Sequence, residues 1–352
     1  MQKPVRNSRT RINVRQNHAG MVDSENVKGT LSPSGMVRSE HYAETMENTV
    51  LPYNRAHENV REIAGADGKS LYTCCYMADM PRATVVIVHG FTENAFKYSE
   101  IIHSLLRNGY NVLIYDQRGH GRSWRDPAVK GTDLTHVERF EEYVEDLEHV
   151  LACMLPELTK PYYLFSHSMG GAVSALYLEK GGEVFSKAIL SSPMIAPATG
   201  GIPAAVCRTL CQGARMAGRG REKVFISSGY TGPEDFETSC TTGRERFGWY
   251  DQKRQEEVLF RNSSPTYGWT AESLAVTGKI LKPGAVENIR IPVRVYSAEL
   301  DGTVLNPPQK VFAGRLRHGS IETVEGAKHE IYRSTDEVVF AWWDSVLRYF
   351  ES

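Results

Sequence analysis

Short apolar runs alternate with amphipathic stretches through most of the chain. Ala83-Thr84-Val85-Val86-Ile87-Val88 and Tyr110-Asn111-Val112-Leu113-Ile114-Tyr115 are too short for buried helices and end at polar turns. They read as strands buried on both faces. Ser70 to Met77, Tyr162 to His167, Lys187 to Ser192, Pro292 to Ser297 and Ile321 to Val324 read as further strands. Helical patterns fall between them, at Phe96 to Arg107, Val137 to Met154, Ala172 to Lys180 and Thr335 to Phe350. Apolar strands alternating with helices predict an α/β fold, a mostly parallel central sheet with helices on both faces.

The rhythm fails twice. Residues 1–43 are polar and show no hydrophobic periodicity, so they are expected to form a disordered extension ahead of a 44–352 domain. This arm carries Lys3, Arg6, Arg9, Arg11 and Arg15 with no acid before Asp23. Such a make-up suits a solvated tail, contact with anionic lipid, or an organelle transit peptide. Residues 197–286 hold helical fragments, glycine-rich joints (Gly200-Gly201, Gly218 to Gly220) and many aromatic residues, but no convincing buried strand. Lying between two sheet strands, this stretch is expected to be an inserted helical lid rather than a separate domain.

Composition narrows the function classes. A formal net charge of −1 over 352 residues gives no sign of nucleic-acid binding. No apolar run approaches the roughly 18 residues needed to span a bilayer, and the N-terminus lacks the apolar core of a secretory signal. Six cysteines in a chain this long match neither a disulfide framework nor a zinc spacing. Reduced thiols in a cytoplasmic protein are the expectation.

The chemistry begins at Tyr162-Tyr163-Leu164-Phe165-Ser166-His167-Ser168-Met169-Gly170-Gly171. An apolar strand stops at a serine framed by small residues, and a helix-compatible stretch follows. A strand turning sharply into a helix strains its turn residue and exposes that side chain above the sheet. This is the nucleophile elbow of the α/β-hydrolase fold, with Ser166 in place of the usual first glycine. In that fold the loop after an earlier strand and the residue after the nucleophile each give one backbone N–H to an oxyanion hole. His89-Gly90-Phe91-Thr92-Glu93 follows the buried strand, so Phe91 and Met169 are the expected donors. Ala298-Glu299-Leu300-Asp301-Gly302-Thr303-Val304 offers the acid. Asp301 has the family arrangement, three residues beyond a small residue and three before an apolar one, with Glu299 as the alternative. His329, at the tip of Gly326-Ala327-Lys328-His329-Glu330, supplies the base. The order Ser168, Asp301, His329 is the hydrolase order, and each residue follows a strand. The turn-rich Asp116 to Ser123 and His167 read as structural, the first fixing a tight loop beneath the oxyanion segment.

From about Tyr53 to Phe350 the set resembles the serine-hydrolase branch containing monoacylglycerol lipases and bacterial lysophospholipases. Asp116 to Ser123, the elbow with Gly171, and Gly326 to Ile331 carry the likeness. Arg244-Glu245-Arg246-Phe247 and Ser264-Pro265-Thr266-Tyr267-Gly268-Trp269 are similar to the lid of bacterial inner-membrane lysophospholipases. The resemblance implies hydrolysis of a lysophospholipid or monoacylglycerol ester, with no metal or cofactor. It also implies a cytoplasmic protein in peripheral contact with the inner face of the cell membrane. Two departures stand out: Thr92 where monoacylglycerol lipases carry a second glycine, and bulky Phe91 beside the acyl site. The lid aromatics suit either an acyl chain or a small core of their own. Arg208, Arg215, Arg219 and Arg221 suit either a phosphate or a solvated face. Three alternatives to the lysophospholipase stand beside it. They are a monoacylglycerol lipase or general carboxylesterase, a proline-iminopeptidase-like peptidase, and a non-catalytic binding protein on the same fold.

Overall fold

The computed structural model describes residues 30–182, 184–225 and 227–352. Its strands are β1 (Glu58–Ala64), β2 (Ser70–Tyr76), β3 (Ala83–Val88), β4 (Tyr110–Tyr115), β5 (Leu134–Thr135), β6 (Tyr162–His167), β7 (Lys187–Ser191), β8 (Ser264–Pro265), β9 (Val293–Ala298) and β10 (Gly319–Val324). Eight of them form one sheet in the order β1-β2-β4-β3-β6-β7-β9-β10, and β5 pairs with β8 separately. The β1–β2 and β2–β4 pairings are antiparallel and every other pairing in the large sheet is parallel.

The helices are α1 (Tyr42–Thr45), α2 (Leu51–His57), α3 (Ser99–Arg107), α4 (Glu141–Met154), α5 (Met169–Glu179), α6 (Ala204–Ala214), α7 (Arg244–Glu256), α8 (Tyr267–Ile280), α9 (Asn306–Arg315) and α10 (Asp336–Glu351). Alternation along β3 explains the layers. Val86 and Val88 join a core with α4, α5 and α9, while Val85 and Ile87 join a second core with α3 and α10. Successive side chains of a strand point to opposite faces, so a sheet covered on both sides needs a strand apolar throughout. The C-terminal ends of β3, β6, β9 and β10 therefore meet along one rim, and the candidate residues lie just beyond them.

The N-terminal expectation needs correction at its boundary. Residues 1–29 lie outside the described residues, but 30–43 are packed onto the domain. Met36 and Val37 are fully buried, and Leu31, Val37 and Tyr42 form a cluster with Trp249 and Tyr250 of α7. Polar partners far along the chain hold the segment. The N–H of Val37 donates to Glu100 at 2.9 Å, the N–H of Ser39 donates to Asp336 at 2.9 Å, and the fully buried Arg246 donates to the carbonyl of Val37. Arg246 also pairs with Glu100 at 3.1 Å and with Asp336 at 2.7 Å. The segment thus fastens α7, within the stretch read as a lid, to the α3 and α10 layer.

Candidate active site

Ser168 stands between β6 and α5 with φ 51° and ψ −119°, a left-handed conformation that costs a non-glycine residue about 1–3 kcal/mol. Its surroundings over-determine that geometry. The Ser168 carbonyl accepts N–H groups from Gly171 at 2.8 Å and Met194 at 2.8 Å, and its own N–H donates to Ser191 at 3.1 Å. Glycine is required two and three residues on: a Cβ on Gly170 would lie 2.1 Å from the carbonyl oxygen of Val88, and one on Gly171 would lie 2.6 Å from Pro193. Ser166, within β6 and paired with Val88 and Leu190, fits the sheet without a glycine's freedom.

His329 follows β10 and reaches back over the rim. Its Nε2 lies 2.8 Å from Ser168 Oγ and its Nδ1 lies 2.8 Å from Asp301 Oδ2. Asp301 follows β9, and its other oxygen accepts the N–H groups of Thr303 at 2.9 Å and Val304 at 3.0 Å. A carboxylate is acceptor-only, so Nδ1 carries the proton and Nε2 presents its lone pair to the serine hydroxyl. Burial alone would raise the Asp301 carboxyl. Its hydrogen bond and charge interaction with His329, with the two backbone donors, outweigh that and hold it below its usual range. Glu299 is not part of this chain. Its carboxylate accepts the N–H of Gly326 at 2.8 Å, bracing the loop that carries His329.

The loop after β3 crosses directly over the serine. A Cβ on Gly90 would sit 3.0 Å from Ser168 Cβ. Among the described residues the Phe91 N–H meets no protein acceptor, and the Met169 N–H, at the first position of α5, has no intrahelical one. Thr92 has φ 64°, a conformation that favours glycine and is an outlier for a β-branched residue. The Phe91 ring packs on Trp269 of α8 with centroids 4.0 Å apart. Beneath this loop, Asp116 accepts N–H groups from Ala95 at 2.6 Å and Arg122 at 2.8 Å, the structural task expected of it.

His167 does not face the serine hydroxyl. Its Nε2 lies 3.2 Å from the carbonyl oxygen of His329 and its Nδ1 lies 3.2 Å from Glu93. Burial disfavours the imidazolium, but the charge of Glu93 and its hydrogen bond outweigh this and raise His167 above its usual range. Two acceptors on two ring nitrogens suit the doubly protonated form. Sequence reasoning missed Glu93 entirely. It is buried and accepts the Gly90 N–H at 2.5 Å and the hydroxyls of Tyr98 and Tyr332 at 2.6 Å each. Lys97 then bridges Glu93 at 3.3 Å and Glu330 at 2.5 Å, tying the oxyanion-side loop to the histidine loop. Glu93 lies in a loop ahead of the turn that begins at Ala95, so no helical spacing in the sequence pointed to its pairing with Lys97.

The insertion between β7 and β9 spends most of its aromatic and cationic groups on contacts within the protein, many of them to residues outside the insertion. Phe247, Trp249, Tyr250, Phe260 and Trp269 are buried, and Trp249 stacks on Phe96. Arg215 pairs with Glu272, Arg219 with Glu222, and Arg221 with Asp126 and Glu138. Arg208 makes no ion pair among the described residues. Asp126, His136 and Glu138 bring metal-ligating atoms within 4.8 Å of one another, but the guanidinium of Arg221 bridges both carboxylates. Among the described residues no helix is long and apolar enough to cross a membrane.

The sheet order, the strained serine and the helical insertion define an α/β-hydrolase. The profile of the Hydrolase_4 family, described as "Serine aminopeptidase, S33", matches residues 79–336, and the chain belongs to that family. It is 29% identical to lysophospholipase L2 of Escherichia coli K12 over 282 residues, 79% of this chain and 81% of that one. It is 31% identical to mouse monoglyceride lipase over 147 residues, covering 41% and 46% of the two chains. Among solved structures, a soluble variant of the Saccharomyces cerevisiae monoglyceride lipase in complex with a substrate analog superposes with a TM-score of 0.68 at 18% identity. That match covers 84% of this chain and 94% of the yeast one.

Proposed function

We propose that the protein is a serine hydrolase that cleaves the acyl ester of single-chain lipids, lysophospholipids ahead of monoacylglycerols. The observation that carries the reaction class is the relay of two 2.8 Å contacts from Asp301 through His329 to the strained Ser168. Likeness to a lysophospholipase over about four-fifths of both chains supports the substrate class. Ser168 Oγ attacks the acyl carbonyl carbon as its proton passes to His329 Nε2. The carbonyl oxygen, now negative, takes the N–H groups of Phe91 and Met169, donors aimed where charge develops. The intermediate collapses, the C–O bond to the alcohol breaks, and His329 returns the proton to the departing oxygen. Water, deprotonated by His329, then releases the fatty acid and restores Ser168. Asp301 keeps the imidazole in the required tautomer throughout. The proton transfers close with these groups alone.

A fluorophosphonate probe is expected to label the wild-type chain at Ser168. A folded but unlabelled protein would overturn the reaction class. Lysophosphatidylethanolamine is expected to turn over faster than monoacylglycerol of equal chain length, and the reverse order would make the protein a monoacylglycerol lipase.

The insertion serves as the lid in this reading, and α6 supports peripheral contact with an anionic membrane surface, the cytoplasmic face of the cell membrane. Cys207 and Cys211 bury one side of α6, while Val206 and Leu210 are about half exposed (48% and 51%) and nearby Met216 is 86% exposed. Together with unpaired Arg208 they form an apolar and cationic surface, the composition that settles at a bilayer interface. Leu210→Asp with Met216→Asp is expected to lower co-sedimentation with phosphatidylglycerol vesicles several-fold while leaving hydrolysis of soluble p-nitrophenyl butyrate unchanged. Undiminished binding would refute the assignment.

A further inference from the structure

A cavity of about 520 Å³ opens between the insertion and the rim that holds Ser168. Its wall includes Thr92, one residue past Phe91, and Glu330, one residue past His329. The insertion is tied to that wall, since the carbonyl of Cys240 accepts the Glu330 N–H at 2.9 Å and Cys240 also lines the cavity. The imidazole hands its proton to the leaving oxygen, so the alcohol portion of a substrate must lie on the His329 side. The cavity comes to that side at Glu330, the residue after His329.

Its chemistry is that of a head group, not of a hydrocarbon chain. Three cations line it, and each is already neutralised: Lys97 by Glu93 and Glu330, Arg333 by Glu330 at 2.6 Å, and Arg254 by Glu234 at 2.5 Å. Two further carboxylates in the wall, Asp235 and Asp251, make no ion pair among the described residues. Asp251 is only 7% exposed and is held by the N–H of Glu234 at 3.2 Å and the amide of Gln255 at 2.8 Å. An ammonium arriving from the ligand would give Asp235 and Asp251 the ion-pair partner that the wall does not supply. Hydrocarbon has a better host elsewhere. A second cavity, beside Gly302 of the Asp301 loop, is walled by Pro197, Ile202, Leu274 and Leu305.

We infer that the cavity walled by Thr92, Asp235, Asp251 and Glu330 is the head-group subsite, and that it takes a head group bearing an ammonium, which sits against Asp235 and Asp251. This rests on the lipid-ester reading above. Asp235→Asn, on an exposed loop, and Asp251→Asn both keep shape while removing charge. Each is expected to lower kcat/KM for lysophosphatidylethanolamine by about 10-fold, the scale of one charge-assisted contact. Lysophosphatidylglycerol, monoacylglycerol of the same chain length and p-nitrophenyl butyrate, whose alcohols carry no ammonium, should each change less than about 3-fold. Glycerophosphoethanolamine should inhibit p-nitrophenyl butyrate turnover by the wild type and lose that effect in both variants. Equal losses on every substrate, or no change on any, would overturn the subsite. A wild type that hydrolyses none of these esters would instead refute the function on which the subsite rests. Cleavage of an aminoacyl amide, weakened by Asp235→Asn and Asp251→Asn, would keep the ammonium anchor and overturn the lipid assignment.

Discussion

His329→Ala is expected to lower kcat for ester hydrolysis by roughly 10^6, the loss seen when a triad nucleophile or base is removed. Without His329 no other group among the described residues lies within hydrogen-bond reach of the Ser168 hydroxyl. A neighbouring imidazole, His167, has its ring centroid 4.8 Å from that of His329. Both of its nitrogens are directed elsewhere, toward Glu93 and the His329 carbonyl, so it presents no free lone pair to the serine. The residual rate should come from the Phe91 and Met169 donors and from substrate binding, which together give roughly 10^3–10^4 over water in a hydrolase stripped of its triad. Because nucleophile and base act as one unit, Ser168→Ala combined with His329→Ala should cost no more than either change alone. Steady-state kinetics on p-nitrophenyl butyrate, with circular dichroism to establish folding, measures all three variants. Losses that multiply, or a single-variant loss below about 100-fold, would show that His329 is not the base.

What the amino-acid order reveals here depends on how locally each feature is encoded. β3 and β4 occupy the residues read as apolar strands because burial on both faces leaves polar residues no place except near strand ends. β1 was missed for the opposite reason. It is an edge strand, and Glu58-Asn59-Val60-Arg61-Glu62 offers neither an apolar run nor clean alternation. α9 was also missed. It begins Asn306-Pro307-Pro308, which looks like a breaker, although proline is well tolerated in a helix's first turn. Ser168, Asp301 and His329 were legible because each follows a strand in a fixed order, so topology constrained them before any contact was known. Glu93 was not legible as a hub. Its partner Tyr332 is 239 residues away, and nothing around either residue announces the other. The same holds for residues 30–43. Their own composition is polar, and Arg246, Glu100 and Asp336, supplied by three remote helices, satisfy them.

The two candidate acids should separate cleanly under substitution. Asp301→Asn is expected to lower kcat by roughly 10^4, the scale at which loss of the orienting carboxylate disables a triad. The asparagine oxygen still accepts the N–H groups of Thr303 and Val304, so the loop should hold its shape. Its amide, however, would donate toward His329 Nδ1 and turn that nitrogen into an acceptor. The proton then moves to Nε2, where it meets the Ser168 hydroxyl and blocks proton transfer. Glu299→Gln keeps the acceptor for the Gly326 N–H and touches neither His329 nitrogen, so its kcat should stay within about 3-fold of wild type, an effect under 1 kcal/mol. Stability gives an independent reading. Because the folded Asp301 carboxyl is held below its usual 3.8, its contribution to stability is complete above that pH and is lost as the pH falls from 3.8 through the lower folded value. Asp301→Asn removes a titrating group, so its melting temperature relative to wild type should rise as pH drops through that window. Thermal melts between pH 6 and pH 3 test this directly. A Glu299→Gln variant that loses activity while Asp301→Asn retains it would move the acid to Glu299 and undo the relay drawn through His329.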